Sequence, residues 1–274
     1  MTITKRYDLH CHSTVSDGTF TSKELIDLAV SLELAGISIT DHDTVDAYTD
    51  ELLAYAKQKN IELVPGVEFS SHFEGTGVHI LGYCFDIHNQ GLRHFCERHK
   101  ERRTERNRQI LALLKNAGME LNEYDLRDSL GVVGRPHIAT AMIRKGYVAD
   151  LGEAFRVYIG DGKPCFSPGN RFSLEETINI IHGAGGKAVL AHPILLKKRS
   201  LIRKILERPF DGMECFYANF SAGQNNEMSQ IAERNGHLVQ TGGSDFHGTI
   251  KAHTNLGSAY TTLENLEKLR RAQS

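Results

Sequence analysis

The chain has 274 residues, 40% of them hydrophobic, with a formal net charge of −2 at pH 7. That length allows one large domain or two smaller ones, and the balanced charge excludes a global field that favours long nucleic acid or an anionic membrane, so any phosphate must be gripped by a local site. No apolar run is long enough to span a bilayer, the first residues lack the apolar core of a signal peptide, and five cysteines without disulfide-framework spacing suit a reducing cytoplasm.

Tyr7 to Leu9 reads as a first strand that leads into His10-Cys11-His12. Side chains alternate along an extended chain, so the two imidazoles face one side and can reach one cation, while Cys11 faces away. Asp17 follows in the loop. Thr21-Ser22-Lys23-Glu24 is a capping box; the helix it opens buries Leu25, Ile26, Leu28, Ala29 and Leu32 and stops at Gly36. Ile37 to Thr40 is the second strand, with Asp41-His42-Asp43 at its end, and Thr44 to Lys59 the second helix. A third strand begins at Leu63-Val64 and runs through Pro65-Gly66-Val67 to end at Glu68. Val78 to Phe85 is the fourth, carrying His79.

The rhythm breaks at residue 92. Leu92 to Ala117 reads as one long helix stopped by Gly118. Glu97, Glu101 and Glu105 form one stripe on it and Arg98, Arg102 and Arg106 the next, the pattern of a solvated face. Short helices follow at Pro136 to Lys145 and Leu151 to Ile159, then a turn-rich Gly160 to Pro164 in which Lys163 reads as part of a plain loop. No strand is evident between Gly91 and Cys165. Residues 92–170 are therefore a helical insertion. Afterwards a capping box at Ser173 opens a helix ending at Gly183. Strands at Lys187 to Leu190, Gly212 to Phe216 and His237 to Thr241 lead to Ala191-His192-Pro193, a basic helix at Ser200 to Glu207, a helix at Asn225 to Asn235, and Gly243-Ser244-Asp245-Phe246-His247. An extended segment near Ala259 and a helix from Leu263 close the chain.

Seven short apolar strands alternating with helices imply a parallel sheet covered on both faces. In a closed β/α barrel the loops after the strands gather at one rim. Six of the fourteen histidines fall near that rim: His10, His12, His42, His79, His192 and His247. Asp17, Glu68 and Asp245 join them. Nine such groups exceed the needs of one cation, and with one bridging carboxylate they suit three. Neighbouring divalent ions clamp a phosphoryl group and make hydroxide available from water near neutral pH, with no protein nucleophile. The mixed nitrogen and oxygen donors suit Mn, Zn or Fe, and the sequence does not decide among them, although Mn is the expected ion. Asp41 and Asp43 read as a hydrogen-bond acceptor behind the ligands and a helix cap, Asp8 as an acceptor for a ligand histidine or a strand-edge partner, and Ser244 as a turn residue.

The His-x-His start, Thr40-Asp41-His42-Asp43, Pro65-Gly66-Val67-Glu68, Ala191-His192-Pro193 and Gly243 to His247 resemble the polymerase and histidinol phosphatase (PHP) superfamily over residues 1 to about 90 and 171 to about 262. The resemblance implies an α/β fold, a distorted seven-stranded barrel formed by residues 1–91 and 171–274, with the insertion 92–170 covering the active site. It implies one ion on His10, His12, Glu68 and Asp245, a second on Asp17, His42 and His247, and a third on Glu68, His79 and His192. Glu68, Asp17 and His192 are the expected catalytic residues. Gly134-Arg135-Pro136-His137-Ile138-Ala139 is similar to the branch holding RNase AM and the 3′,5′-nucleoside bisphosphate phosphatases. There Pro136 suits the first turn of a helix whose free N–H groups favour an anion, and Arg135 and His137 are the expected phosphate contacts. The implied function is a metal-dependent phosphoesterase acting by metal-activated hydroxide. Its substrate would be a nucleoside 3′,5′-bisphosphate or short 5′-phosphorylated RNA, degraded 5′ to 3′, with no membrane and no obligate protein partner. Histidinol phosphate hydrolysis and a noncatalytic metal-stabilised scaffold are the rival readings.

Overall fold

A computed structural model describes residues 4–126, 131–196 and 198–272. The chain opens with β1 (Arg6–Cys11), α1 (Ser22–Ser31), β2 (Gly36–Ile39), α2 (Asp50–Gln58) and β3 (Glu62–Leu63), and the three strands pair in parallel. The predicted capping box is present: Thr21 Oγ1 accepts from the Glu24 N–H, and the Glu24 carboxylate accepts from the Thr21 N–H. Two boundaries move. α1 ends at Ser31, and Glu33 in the left-handed region makes the turn. Gly36 is instead the first residue of β2, where a Cβ would lie 2.5 Å from the Glu62 carbonyl oxygen. α2 starts at Asp50, capped by Thr49, rather than at Thr44. The intervening segment is tied down by Tyr48, whose hydroxyl donates toward the carbonyls of Ile39 and Val64 and accepts from the Gly66 N–H.

The largest departure follows. After Pro65 the chain crosses into a second sheet as β4 (Gly66–Phe73), which pairs antiparallel with β5 (Thr76–Tyr83). Glu68 therefore lies inside a strand and not at the end of the third. His79 stands opposite Ser70, so it shares a face with Glu68 two residues away. Next come α3 (Gln90–Asn116), α4 (Arg135–Arg144), α5 (Leu151–Glu153) and a π-helical turn, Ala154–Ile159. Then β6 (Phe172–Ser173), α6 (Leu174–Gly183), β7 (Lys187–Leu190), α7 (Ile202–Ile205), β8 (Gly212–Tyr217), α8 (Ala222–Asn235), β9 (Val239–Gly243), β10 (Thr261–Thr262) and α9 (Leu263–Arg271) complete the order.

The strands form two mixed sheets, β10-β1-β2-β3 and β6-β4-β5-β7-β8-β9. β10 on β1, β4 on β5 and β5 on β7 are antiparallel. An all-parallel arrangement is thus corrected, because apolar periodicity encodes which face is buried but not strand direction. The sheets meet at isolated bridges between Cys11 and Phe246 and between His42 and Glu68. Each seam carries or adjoins residues of the expected rim. The main core, including Ile26, Ile39, Phe69, Ile80, Leu190 and Met213, fills the space between these sheets and their helices. Residues from Gly91 to Cys165 form no strand among those described, and Ile110, Leu114, Ile138, Met142 and Ile159 pack into a cluster of their own.

Candidate metal centre and arginine cleft

The end of β1 brings the rings of His10 and His12 to 5.4 Å between centroids. His12 in turn lies 4.0 Å from the ring of His247 and 4.6 Å from that of His42. Glu68 sits at the middle. Its Oε1 is 2.8 Å from His79 Nδ1 and 2.9 Å from His192 Nε2. Its Oε2 faces His42 Nδ1 at 3.0 Å, His12 Nε2 at 3.3 Å and His10 Nε2 at 3.5 Å. Asp245 Oδ1 approaches His12, His247 and His10 at 3.2, 3.3 and 3.5 Å. Asp17 approaches His247 at 3.4 Å and His12 and His42 at 3.7 Å.

Three groups of donor atoms come within 4.8 Å of one another: His12, Asp17, His42 and His247; His10, His12, Glu68 and Asp245; His42, Glu68 and His79. The second is one of the expected sets. Across the three groups His12, His42 and Glu68 each take part twice, and His192 reaches the centre through Glu68 Oε1.

The electrostatics suit cations. Burial opposes ionisation of Glu68, yet the imidazoles of His79, His42 and His10 outweigh it and hold the carboxyl well below the usual range. Asp17 is likewise depressed against its burial by His42 and His247, and Asp245 by Lys251, His10 and His247. Burial also disfavours a charged His10, but Glu214, Asp245 and Glu68 raise its pKa well above the ordinary value. The buried carboxylates demand positive charge, which Lys251 supplies at Asp245 and the imidazoles supply at Glu68 and Asp17. For His42 burial outweighs the pull of Glu68 and Asp17 and pushes its pKa down to about 3. Among the described residues the buried Nε2 of His10, both ring nitrogens of His12 and Nδ1 of His42 have no hydrogen-bond partner. Buried ring nitrogens that face carboxylates without a hydrogen bond fit a set of metal donors.

Several supporting residues carry no motif. Glu214 on β8 joins two candidate ligands: Oε1 accepts from His10 Nδ1 at 2.8 Å and Oε2 from the His192 backbone N–H at 2.8 Å. The proton so placed on Nδ1 aims Nε2 of His10 at the cluster. His247 is oriented the same way, its Nδ1 meeting the Asp245 carbonyl at 2.9 Å. Tyr217 and Lys251 both donate to Asp245 Oδ2, leaving Oδ1 for the histidines. Asp41 accepts from Ser13 and Ser16, fixing the loop that presents Asp17. Asp8 accepts from the backbone N–H groups of His10, Ser244 and Gly257; it sets the loops rather than a ring. A buried acid inside an apolar strand was the one local sign of Glu214. His192 and Asp245 both hold positive φ, 26° and 54°, a strained backbone kept by these contacts.

Asp43 is no helix cap. Fully buried, it binds His99 Nδ1 at 3.0 Å, Arg103 Nε at 2.5 Å and Arg102 at 3.3 Å, and accepts from the Ser70 N–H. It pins α3 to the loop of His42. Asp43→Asn leaves Arg103 buried without its counter-charge, so a loss of about 3–5 kcal/mol in urea unfolding is expected. A loss under about 1 kcal/mol would show that α3 is held by other contacts.

The arginine stripe on α3 is also corrected. Glu97, Glu101 and Glu105 are exposed, but Arg102 and Arg106 turn inward to line a cleft of about 480 Å³. These two lie one residue, about 100° round the helix, from the glutamates, and Arg102 finds its carboxylate in Asp43, far away in sequence. Ser70, His79 and His192 form the cleft's metal-side wall, and Arg135 and Arg171 extend its basic wall. With Lys198 that makes five cations against one carboxylate, Asp161. Arg135 binds Asp161 Oδ1 at 2.6 Å and lies over the rings of Phe155 and Phe166. Arg106 hydrogen-bonds only the Asn107 side chain among the described residues. Burial, then Arg103, Arg135 and Arg102, push its pKa well down: it is a cation short of an anion. His137 does not line the cleft; its Nδ1 accepts from the Gly134 N–H at 2.9 Å. Lys163 is likewise absent from the lining.

Residues 8–148 match the family model of the PHP domain. The chain belongs to the PHP domain family. Within that likeness, a 5′-3′ exoribonuclease from Haemophilus influenzae is 36% identical over 97% of this chain and 100% of its own. A 3′,5′-nucleoside bisphosphate phosphatase from Chromobacterium violaceum is 33% identical over 91% and 90% of the two chains. Among solved PHP-like structures, one from Bifidobacterium adolescentis described as a metal-dependent phosphoesterase superposes with a TM-score of 0.86, at 27% identity, over 96% and 94% of the chains. A Chromobacterium violaceum amidohydrolase with bound sulfate and no metal gives 0.82 at 31% identity over 92% and 98%.

Proposed function

We propose that this PHP chain is a metal-dependent phosphoester hydrolase acting on nucleoside 3′,5′-bisphosphates and, by the same site, on 5′-phosphorylated short RNA from the 5′ end. One observation carries the reading: a carboxylate divided between two groups of imidazoles opens onto a cleft lined by four arginines. The first feature suits the phosphate to be cut, the second a phosphate to be held. On this reading residues 1–91 and 171–274 are the distorted seven-stranded PHP barrel, with the antiparallel β4–β5 hairpin as a source of the distortion. Residues 92–170 are the covering insertion.

His10, His12, Asp17, His42, Glu68, His79, His192, Asp245 and His247 would hold divalent ions, three by the number of donor groups. Carboxylates among imidazoles favour Mn, with Zn or Fe as alternatives. When bound, such ions acidify water and neutralise phosphoryl oxygens. The residues' own work is orientation. Glu214, Tyr217 and Lys251 fix the donor atoms, and Glu68 and Asp17 set the charge of the centre. His79 and His192 reach from the centre to the cleft wall, so a group between them faces both. Arg106 and Arg135 hold the remote phosphate, with Arg102 and Arg171 beside them, and so place the first nucleotide against the centre. His137 serves by shaping the Gly134 turn before α4. The described cysteines are all free, which supports a cytoplasmic setting, and no described helix is long and apolar enough to cross a membrane.

Phosphate release from adenosine 3′,5′-bisphosphate and histidinol phosphate, and mononucleotide release from a 5′-phosphorylated oligoribonucleotide, test the reading. Preference for histidinol phosphate would displace it, and failure on all three with metals loaded would leave a scaffold. Metal also acts on stability. Titrating Mn into the chelated protein to about 100 times its Kd is expected to add about 2.7 kcal/mol, read as a rise in Tm. An unchanged Tm would mean these donors do not cage ions.

A further inference from the structure

The basic lining does not end in the cleft. Leu195, Leu196 and Lys198, supplied by the segment after His192, form its mouth, and Leu195 is left 55% exposed as an apolar ledge. Arg199 follows Lys198 directly and turns into α7, so Arg199 and Arg203 stand four residues apart, about one helical turn. Both line a second groove, of about 330 Å³, with Arg234, Gln230 and Asn235 from α8. All three arginines are exposed. Glu227 is the only carboxylate lining the groove, 3.8 Å from Arg199. Arg203 and Arg234 have no ion-pair partner among the described residues. Lys204, on the neighbouring face, is paired with Glu74. On a chain of net charge −2, this is a local concentration of cations, two of them without an ion pair among the described residues, and it begins at the residue after Lys198 of the cleft.

We propose that this groove carries the sugar-phosphate backbone of single-stranded RNA on the 3′ side of the cut. The inference rests on the reading above and deepens it. The 5′ phosphate occupies the arginine cleft, the first linkage faces Glu68, and the strand leaves over Leu195 and Lys198 toward Arg199, Arg203 and Arg234. Guanidiniums separated by a helical turn meet successive phosphates without reading bases, and the leucine ledge offers a sequence-tolerant surface for a base. A mononucleotide is too short to reach the groove, so the groove sets a preference for length.

The test compares the parent protein with Arg199→Glu/Arg203→Glu and with Arg199→Lys/Arg203→Lys. Substrates are adenosine 3′,5′-bisphosphate and 5′-phosphorylated oligoribonucleotides of two to about ten residues. In the parent, KM is expected to fall as the oligomer lengthens. The glutamate pair raises KM for the longest oligomer about tenfold or more and flattens its salt dependence, while the bisphosphate is unaffected and the lysine pair stays near the parent. Equal effects on oligomer and bisphosphate, or no length dependence in the parent, would overturn the proposal. Binding of a labelled oligomer to metal-free protein, read by fluorescence anisotropy, separates the two readings. Weakened binding in the glutamate pair supports the groove even if no phosphate is released, whereas unchanged binding refutes it. Duplex RNA or anionic vesicles competing as well as single-stranded RNA would also overturn it.

Discussion

Glu68→Gln reduces phosphoester hydrolysis by about a thousandfold and lowers the metal retained at limiting supply. The reason is geometric. Oε1 serves His79 and His192, and Oε2 serves His10, His12 and His42, so one side chain belongs to two neighbouring groups of donors. Glutamine keeps the length and one carbonyl oxygen but loses the full negative charge, and its amide turns N–H donors toward one set of ring nitrogens. Neither Asp17 nor Asp245 can substitute, because Asp17 faces His12, His42 and His247, and Asp245 is held away from His79 and His192 by Tyr217 and Lys251. The measurements are metal content after equilibration with limiting Mn, and phosphate release at saturating Mn. A variant that keeps both its metal and its rate would remove Glu68 from the centre of the site.

The convergence of the candidate metal donors was legible because many of them sit in short local patterns: two histidines two residues apart, and acid–histidine pairs where apolar runs stop. The antiparallel hairpin was not, since the alternation of Glu68, Ser70 and His72 is the same whichever way the partner strand runs. Long-range supports were not legible either. Glu214 lies 204 residues from His10, and nothing local marks the pair except an acid among apolar neighbours. The arginine stripe misled for a different reason. Acidic and basic residues at four-residue spacing look like mutual neutralisation on a wet surface, but Arg102 finds its carboxylate in Asp43, beyond any helical spacing, and Arg106 finds none among the described residues. Arg135 was legible through its helix-start motif, although its pairing with Asp161 was not.

That last contrast sets the second expected result. Arg106→Ala lowers kcat/KM for adenosine 3′,5′-bisphosphate by about a hundredfold, the value of one charge-assisted contact made to a half-buried cation. Hydrolysis of an aryl monophosphate, which has no remote phosphate to hold, changes by no more than about twofold. Arg135→Ala has a smaller effect on the bisphosphate, about tenfold, because Asp161 at 2.6 Å already offsets part of its charge. Loss of fold does not account for the change at Arg106. Its half-buried guanidinium lies near Arg103, Arg135 and Arg102 with no carboxylate of its own among the described residues, so alanine relieves repulsion and the Tm is expected to hold or rise. Equal losses on the two substrates would deny the cleft its second phosphate. A bisphosphate-selective loss at unchanged or higher Tm assigns the half-buried charge to the substrate, since an anion that the fold itself does not provide is the only compensation the cleft lacks.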